Sequence, residues 1–480
     1  MSVLKFKPEH KEQMFLLPPS VEEFVPENHL ARLIDGIVNE LDCSEIEEQY
    51  SELGQKSYSP QLLLKLWIYS YSIGIYSGRK IESKCETDLA YFYLACMYRP
   101  DFRTINDFRK DNIEFFHKVF IEVLKISSDL GLTHIGTIAI DGTKIRANAA
   151  SSRTKDKAGY EKWKANIEKT LQTLHEKADK INAEEDERLG SKRGDKLSKK
   201  IGNKNQLKHK IEKILKRYEE EELDAKQKIN LTDADANMML GSGRIQPNYN
   251  CQGSVNMDGV LVGQYASTSP SDKEQLIPMV ELVEQNMQAK PENVLADCGY
   301  ASYDSYEKIN EKGIVAYMPD QEYEHNKRHP EKTTPFDCIN FLYDIENDYY
   351  VCPQGKKLTF KREYSNKTYK QKAKIYQCKD CQECPFREQC TNGKYRTIHR
   401  EDREYLKQEA RNRLDKEQGK VIYQQRMSTI EPTWGNIKFN RKFLMFSLRG
   451  KEKVNGEFSL VCLANNILKI KKSYDESQAA

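Results

Sequence analysis

Three acidic residues have the type and setting to do chemistry together. Asp141 closes the apolar, β-branched run IGTIAIDGT, Asp297 closes NVLAD, another short run of buried-strand character, and Glu431 lies in a long helical region. Carboxylates are hard oxygen donors that suit Mg²⁺ or Mn²⁺. Brought to one place without a cation, the three would repel one another or take up protons. Two divalent ions about 3.5–4 Å apart can stabilise charge on both the attacking and the leaving oxygen when a phosphodiester bond is moved. Each acid also has a plainer reading. Asp141 and Asp297 could simply open turns at Gly142 and Gly299, and Glu431 is one of many acids in its region, with Glu457 its main rival for the third position.

A second group is made of cysteines. Cys352 lies upstream of Cys378, Cys381, Cys384 and Cys390, and two-residue gaps separate the first three of the latter four. Cys-x2-Cys spacing lets two thiolates reach one Zn²⁺, and four ligands close a structural tetrahedral site. Five candidates for four positions leave the ligand set open, with reduced, unliganded thiols as the alternative. The surrounding segment, 320–400, is polar and contains prolines. A metal would account for how so little apolar material folds. Cys298, beside Asp297, reads as packing. Twelve cysteines in a chain whose first residues, MSVLKFKPEHKEQMF, lack the apolar core of a signal peptide read as thiols or ligands, not disulfides.

The elements around these residues follow from periodicity. Residues 1–50 open with a Pro-rich, partly extended segment and continue into an amphipathic stretch around Leu30–Leu41. Helical spacing then dominates to Leu130, with Gly74 and Gly78 as breaks and Thr104 ahead of a further helix. Such a run of helices and turns can contact DNA or serve as a packing and dimer-contact bundle. Residues 152–230 carry two charged amphipathic runs split by the Gly- and Lys-rich break RLGSKRGDK, which reads as an antiparallel helical hairpin. Strand signals return in NYNCQGSVN and VLVGQYAST, joined through Asp258-Gly259. Ser271 and Glu274 form a capping-box pattern for a helix through Met287. After NVLAD come a helix over about 302–312, the strand IVAYM, the cysteine segment, and a long helical region from Glu401.

With the two interruptions set aside, the order is strand, strand, strand, helix, strand, helix, strand, helix. That is the order of a ribonuclease H-like fold, in which the first and fourth strands run parallel side by side and bring two strand-end aspartates together. The expectation is an α/β catalytic core, α+β overall, over 131–472. It is interrupted by the 152–230 hairpin and the 320–400 insertion, preceded by a helical domain over 1–130, and followed by a disordered tail over 473–480.

Composition bounds the function loosely. The 480 residues hold 76 basic and 73 acidic side chains, a net charge of +3. A nucleic-acid binder needs a local basic face, so this balance neither supports nor excludes one. No run approaches the roughly 20 apolar residues of a membrane span, so the protein is expected to stay where it is made.

These residues also resemble a family. AIDGTKIRANA around Asp141, LADCGYASY around Asp297 and RMSTIEPTWGNIKFNRKF around Glu431 are similar to the signature regions of bacterial insertion-sequence DDE transposases. FSLRGKEKVNGEFSLVCLANNILKI, SPQLLLKLWIYSYSIGIYSGRKIE, RPDFRTINDFRK, NLTDADANMM and YNCQGSVN extend the likeness over about residues 20–472. The resemblance implies a DNA transposase with Asp141, Asp297 and Glu431 as catalytic ligands of two Mg²⁺ or Mn²⁺ ions. It implies cleavage and strand transfer at terminal inverted repeats, DNA as partner, and a homodimer or larger assembly on DNA in the cytoplasm, at the nucleoid. A transposase-derived DNA-binding protein without activity, and a nuclease of the same fold that cuts without joining, are the alternatives.

The family's Tyr, Arg, Glu, Lys signature falls on Tyr423, Arg426, Glu431 and Lys438. Glu431 and Lys438, seven apart, would share one face of a continuous helix. Arg426, five before Glu431 and not four, would point elsewhere on a straight helix unless Pro432 bends it. Trp434 is a candidate to stack on a base, although its plainer reading is core. Lys438, Asn440, Arg441, Lys442 and Arg449, with Lys144 and Arg146, suggest phosphate contacts or an ordinary charged surface.

Overall fold

The protein is described from a computed structural model that covers residues 20–50, 57–188, 195–366 and 371–479. The opening stretch of the Pro-rich segment (1–19) and most of the Gly- and Lys-rich break (189–194) lie outside the described residues. In chain order the helices are α1 (Leu30–Asn39), α2 (Pro60–Ser72), α3 (Gly78–Thr87), α4 (Leu89–Leu94), α5 (Phe102–Asp111), α6 (Ile113–Asp129), α7 (Lys157–Arg188), α8 (Asp195–Glu220), α9 (Leu276–Met287), α10 (Tyr303–Glu311), α11 (Glu404–Asp415), α12 (Glu417–Gly435) and α13 (Lys451–Ala479). The principal strands are β1 (Thr137–Arg146), β2 (Asn237–Gly241), β3 (Arg244–Asn256), β4 (Leu261–Ser267), β5 (Asn293–Leu295), β6 (Val315–Tyr317), β7 (Leu342–Asp344), β8 (Tyr349–Val351), β9 (Lys357–Asn366), β10 (Gln371–Cys378) and β11 (Thr397–Arg400). The mixed helix-and-sheet class is as expected. The segments group into two compact units, one of residues 1–132, 146–236 and 436–480, the other of 133–145 and 237–435.

The first unit is helical. Pro60 begins α2 at a position where its missing N–H costs nothing, and every residue of that helix except Gln61 is buried. A helix apolar nearly all round belongs inside a bundle, and α13 packs along both α2 and α6. The centre of this packing is polar. Glu457 of α13, fully buried, accepts hydrogen bonds from Tyr71 Oη at 2.9 Å, Ser447 Oγ at 2.7 Å and the amides of Ser447 and Leu448, and Arg109 stands 3.5 Å away. Glu457 is thereby fully committed to structure, which removes it as the rival third acid. The 152–230 segment forms the expected hairpin, with Tyr160, Ile167, Leu171, Ile211, Ile214 and Tyr218 as its seam. The ion pairs Lys164–Glu212 and Lys208–Glu168 fix its antiparallel sense. The 473–480 tail, expected to be disordered, instead continues α13 as helix to Ala479.

The second unit holds a sheet in the order β2-β3-β1-β5-β6, with β4 paired to β3. β1 and β5 run parallel, in the register Thr137↔Asn293, Ile138↔Val294 and Ala139↔Leu295. β6 is parallel to β5 on its other side. Two boundaries differ from expectation. β1 does not end at Asp141 but runs on through Gly142 to Arg146, where Met445 bridges it. The helix after β4 starts at Leu276, not at the Ser271–Glu274 pattern, and its N-cap residue Gln275 makes no side-chain cap. The cysteine segment folds into a five-stranded antiparallel meander, β7 to β11 in sequence order. The sequence reading missed this sheet, because strands such as Lys357–Asn366 are mostly exposed and carry no apolar alternation.

Candidate active site

The parallel register determines how the two aspartates meet. Ala139 and Leu295 are paired, and Asp141 and Asp297 each lie two residues further along. Neighbouring parallel strands rise almost equally per residue, so the two carboxylates arrive at one level beside each other. Asp297 lies just past the end of β5, where its Oδ1 accepts the Gly299 amide at 2.8 Å. The third acid comes from α12. This helix lies on β3, where the Trp434 ring fills the space above Gly253, and a Cβ there would fall 2.8 Å from ring carbons.

One side chain faces all three acids. Nη2 of Arg426 is 3.4 Å from Asp141 Oδ1 and 3.8 Å from Asp297 Oδ2, and Nη1 is 3.5 Å from Glu431 Oε1. The five-residue spacing on α12 made Arg426 a doubtful member by helix-face counting. The structure corrects that reading, because the long arginine stem reaches across the helix to the acids. Burial pushes the Asp141 carboxyl up to about 6; Arg426 opposes this, and Asp297 and Asp272 add to it. Tyr423, half-buried one turn before Arg426, has its phenol pushed up by burial, with Arg426 again opposing.

Beside Asp141 lies a network that the sequence reading did not find. Asp272 accepts hydrogen bonds from Asn250 Nδ2 at 2.6 Å and Gln252 Nε2 at 2.8 Å, and pairs with Lys144 Nζ at 3.3 Å. The Tyr300 hydroxyl donates to Gln252 Oε1. Only glycine fits next to Asp141, since a Cβ on Gly142 would stand 2.5 Å from Gln252 Nε2 and 2.9 Å from Asp272 Oδ1. A signal was present in the alternation Asn248, Asn250, Gln252, Ser254, Asn256. That is a polar face on a strand whose other face is apolar, and the whole of 247–256 is buried. Buried amides in such a row must satisfy one another or a neighbour.

The other candidate residues divide. Lys144 is held by Asp272. Trp434 is 5% exposed and packs on Gly253, so its ring is core and not a stacking platform. Arg441, also 5% exposed, donates to Val461 O and Asn465 Oδ1 inside the helical unit, so it offers no phosphate contact. Arg449 is exposed and donates to Asn148 O and Oδ1. Arg146 is exposed and ties β1 to Leu444 and Phe446 through its backbone. Lys438 is half-buried in a π-helical turn, Asn436–Asn440. The α-helical count therefore stops at Gly435, and the seven-residue spacing from Glu431 no longer implies a shared face. Asn440 and Lys442 are exposed. Cys352, Cys378, Cys381, Cys384 and Cys390 all line one small hollow in the inserted meander. Cys298 is half-buried near Asp297.

The acid group suits a hard divalent cation in donor type, with three carboxylates and no sulfur or imidazole. As arranged, however, the Arg426 guanidinium takes the central place. Among the described residues no group of three or more His, Cys, Asp or Glu side chains stands ready to hold a metal ion. No helix is long and apolar enough to cross a membrane among the described residues.

Comparison with known proteins adds an independent line. Residues 351–471 match the family described as Transposase DDE domain, and residues 19–111 match the one described as Transposase domain (DUF772). The first match contains Glu431 and the cysteine-bearing strands, and the second spans most of the N-terminal helices. No curated protein and no solved structure matches the chain. Two transposase domains in one chain, at the places where the likeness to signature regions also falls, make this chain a member of the insertion-sequence DDE transposases.

Proposed function

We propose that the chain is an active transposase, with Asp141, Asp297 and Glu431 as its catalytic acids on a ribonuclease H-like core, cutting and joining DNA at the terminal inverted repeats of its element. The observation that carries this reading is the convergence of three carboxylates, from β1, the end of β5 and α12, on one cationic side chain.

The acids would hold two Mg²⁺ or Mn²⁺ ions, which supply charge stabilisation on both oxygens of an in-line displacement. The protein's own part is to place and charge the donors. The common register holds Asp141 and Asp297 level, and the Trp434–Gly253 contact seats the helix that carries Glu431. Asp141 gives up any proton it holds as a cation enters, since carboxylate ligands must be ionised. Arg426, released from the acids, has the planar fork that suits a phosphate, and Tyr423 packs nearby. A water attacks one strand first, and the freed 3′-hydroxyl then attacks target DNA. Both are displacements at phosphorus, so one site serves both. Work on paired ends calls for two or more copies of the chain on DNA.

The test is direct. Incubation with terminal-repeat DNA and Mg²⁺ should give cleavage and then strand-transfer products. Asp141→Ala, Asp297→Ala and Glu431→Ala should each lose both and still bind DNA. Cleavage without any joined product would favour a nuclease, and binding without cleavage in any divalent metal would favour an inactive derivative.

A further inference from the structure

The cysteine hollow in the inserted meander takes no part in the chemistry above, and its geometry resolves what spacing left open. Five thiols line a cavity of about 20 Å³. That is room for roughly one water-sized occupant and no organic ligand. The five are not equivalent. Cys378 and Cys381 are buried members of the meander's core, with Phe341, Tyr350, Leu358, Tyr376 and Ile398, and Cys352 and Cys390 pack against that same core. Cys384 lines the hollow but is not part of the core.

We propose that Cys352, Cys378, Cys381 and Cys390 bind one structural Zn²⁺, with Cys384 outside the ligand set.

Three features support this assignment. The backbone under each thiol is already fixed. Cys352 sits in a tight turn closed by Gly355 N to Cys352 O at 2.8 Å, with Gly355 at φ +75°, and the Cys378 and Cys390 amides donate to Arg396 O and Phe386 O. Sulfur in this turn is already treated as an acceptor, because the Lys356 amide donates to Cys352 Sγ at 3.3 Å. Donors of this kind orient and tune metal-bound thiolates. Finally, the charge balances. A Zn²⁺ with four thiolates carries two negative charges, and Lys356, Arg387 and Arg396 surround the hollow.

The fold also needs such a centre. The meander's core consists of only seven buried side chains, two of them cysteines. Cores this small are commonly completed by a metal or a disulfide. The thiols do not yet stand at metal-holding spacing. Zinc would draw them to Zn–S distances of about 2.3 Å, and each thiol would release its proton to solvent as it binds.

Elemental analysis of the full chain, purified under reducing conditions, should find about one zinc per molecule. Titration with a thiol-blocking mercurial should release it. Cys352→Ser, Cys378→Ser, Cys381→Ser and Cys390→Ser should each lose the metal, and Cys384→Ser should keep it. Because a ligand variant could fail to fold, the wild-type chain gives a second readout. Stripped of metal and loaded with Co²⁺ alone, it should develop the intense d–d bands of a tetrahedral thiolate site. Absence of both zinc and the cobalt spectrum overturns the site. Loss of zinc in Cys384→Ser with retention in Cys390→Ser overturns the ligand assignment.

Discussion

Arg426 holds Nη2 3.4 Å from Oδ1 of Asp141, so a cation belonging to the protein already stands among the acids. A divalent ion has to compete with it. Without DNA, Arg426→Gln should bind Mn²⁺ about 3- to 10-fold more tightly than the wild type, because a half-screened ion pair of this kind is worth on the order of 1 kcal/mol. The same variant should lose cleavage. Calorimetric titration checks it, and unchanged or weaker Mn²⁺ binding would show that the arginine is not the competitor.

The two glutamates once in contention for the third position should separate cleanly. Glu431 is about half exposed, its side chain at 47%. Glu431→Gln should therefore move stability by no more than about 0.5 kcal/mol while abolishing cleavage. Glu457 is fully buried beneath Tyr71, Arg109 and the Ser447 and Leu448 amides. Glu457→Gln should cost about 3–5 kcal/mol, since it strands buried donors and a buried cation. Urea unfolding of both variants decides the matter.

Gly253 is the point where α12 rests on the sheet. A methyl group there meets the Trp434 ring at 2.8 Å. Overpacking of this kind costs about 1–3 kcal/mol. It should also lift the helix bearing Glu431. Gly253→Ala is expected to bind DNA normally and cut it slowly, and wild-type cutting rates would argue that the helix seat does not set the site.

Arg411 on α11 binds Asp320 through two hydrogen bonds of 2.6 and 2.8 Å, both side chains 7% exposed. Burial alone would raise the Asp320 carboxyl, but the guanidinium outweighs it and holds the group below its usual range. A depressed folded pKa gives stability that is complete above the unfolded value of about 3.9 and is lost as pH falls through the lower folded one. Arg411→Gln leaves a buried carboxylate unpaired. The wild type should exceed it by about 3–5 kcal/mol near neutral pH. That gap should narrow below pH ~4 as the carboxyl takes up a proton. A gap that stays constant with pH would show that the pair carries no linkage.

Local patterns told most about what is local. The β-branched run before Asp141, the hairpin turn at Gly259, the Ser302 cap and the paired amphipathic runs of α7 and α8 were all readable, because backbone preference and side-chain period act over a few residues. Long-range facts were not. That Ala139 pairs with Leu295 is a register, and no property of either strand alone states it. Arg426 was misjudged because helix-face counting treats a side chain as a short spoke, whereas arginine can span a helix. Trp434 and Arg441 looked like DNA contacts because burial depends on what the fold sets against them. The meander was hidden by its charged residues, and Asp272 by a capping pattern that the chain does not use.

The acids stand 156 and 134 positions apart along the chain. Closing spans of that length is an ordering cost met only when the flanking strands and α12 dock. On the ribosome, the nuclease centre therefore stays incomplete until the segment carrying Glu431 has emerged, so an unfinished chain is expected to be unable to nick the genome that encodes it. Stalled chains released after residue 430 should be inert towards terminal-repeat DNA, and cutting by them would refute this dependence on late assembly.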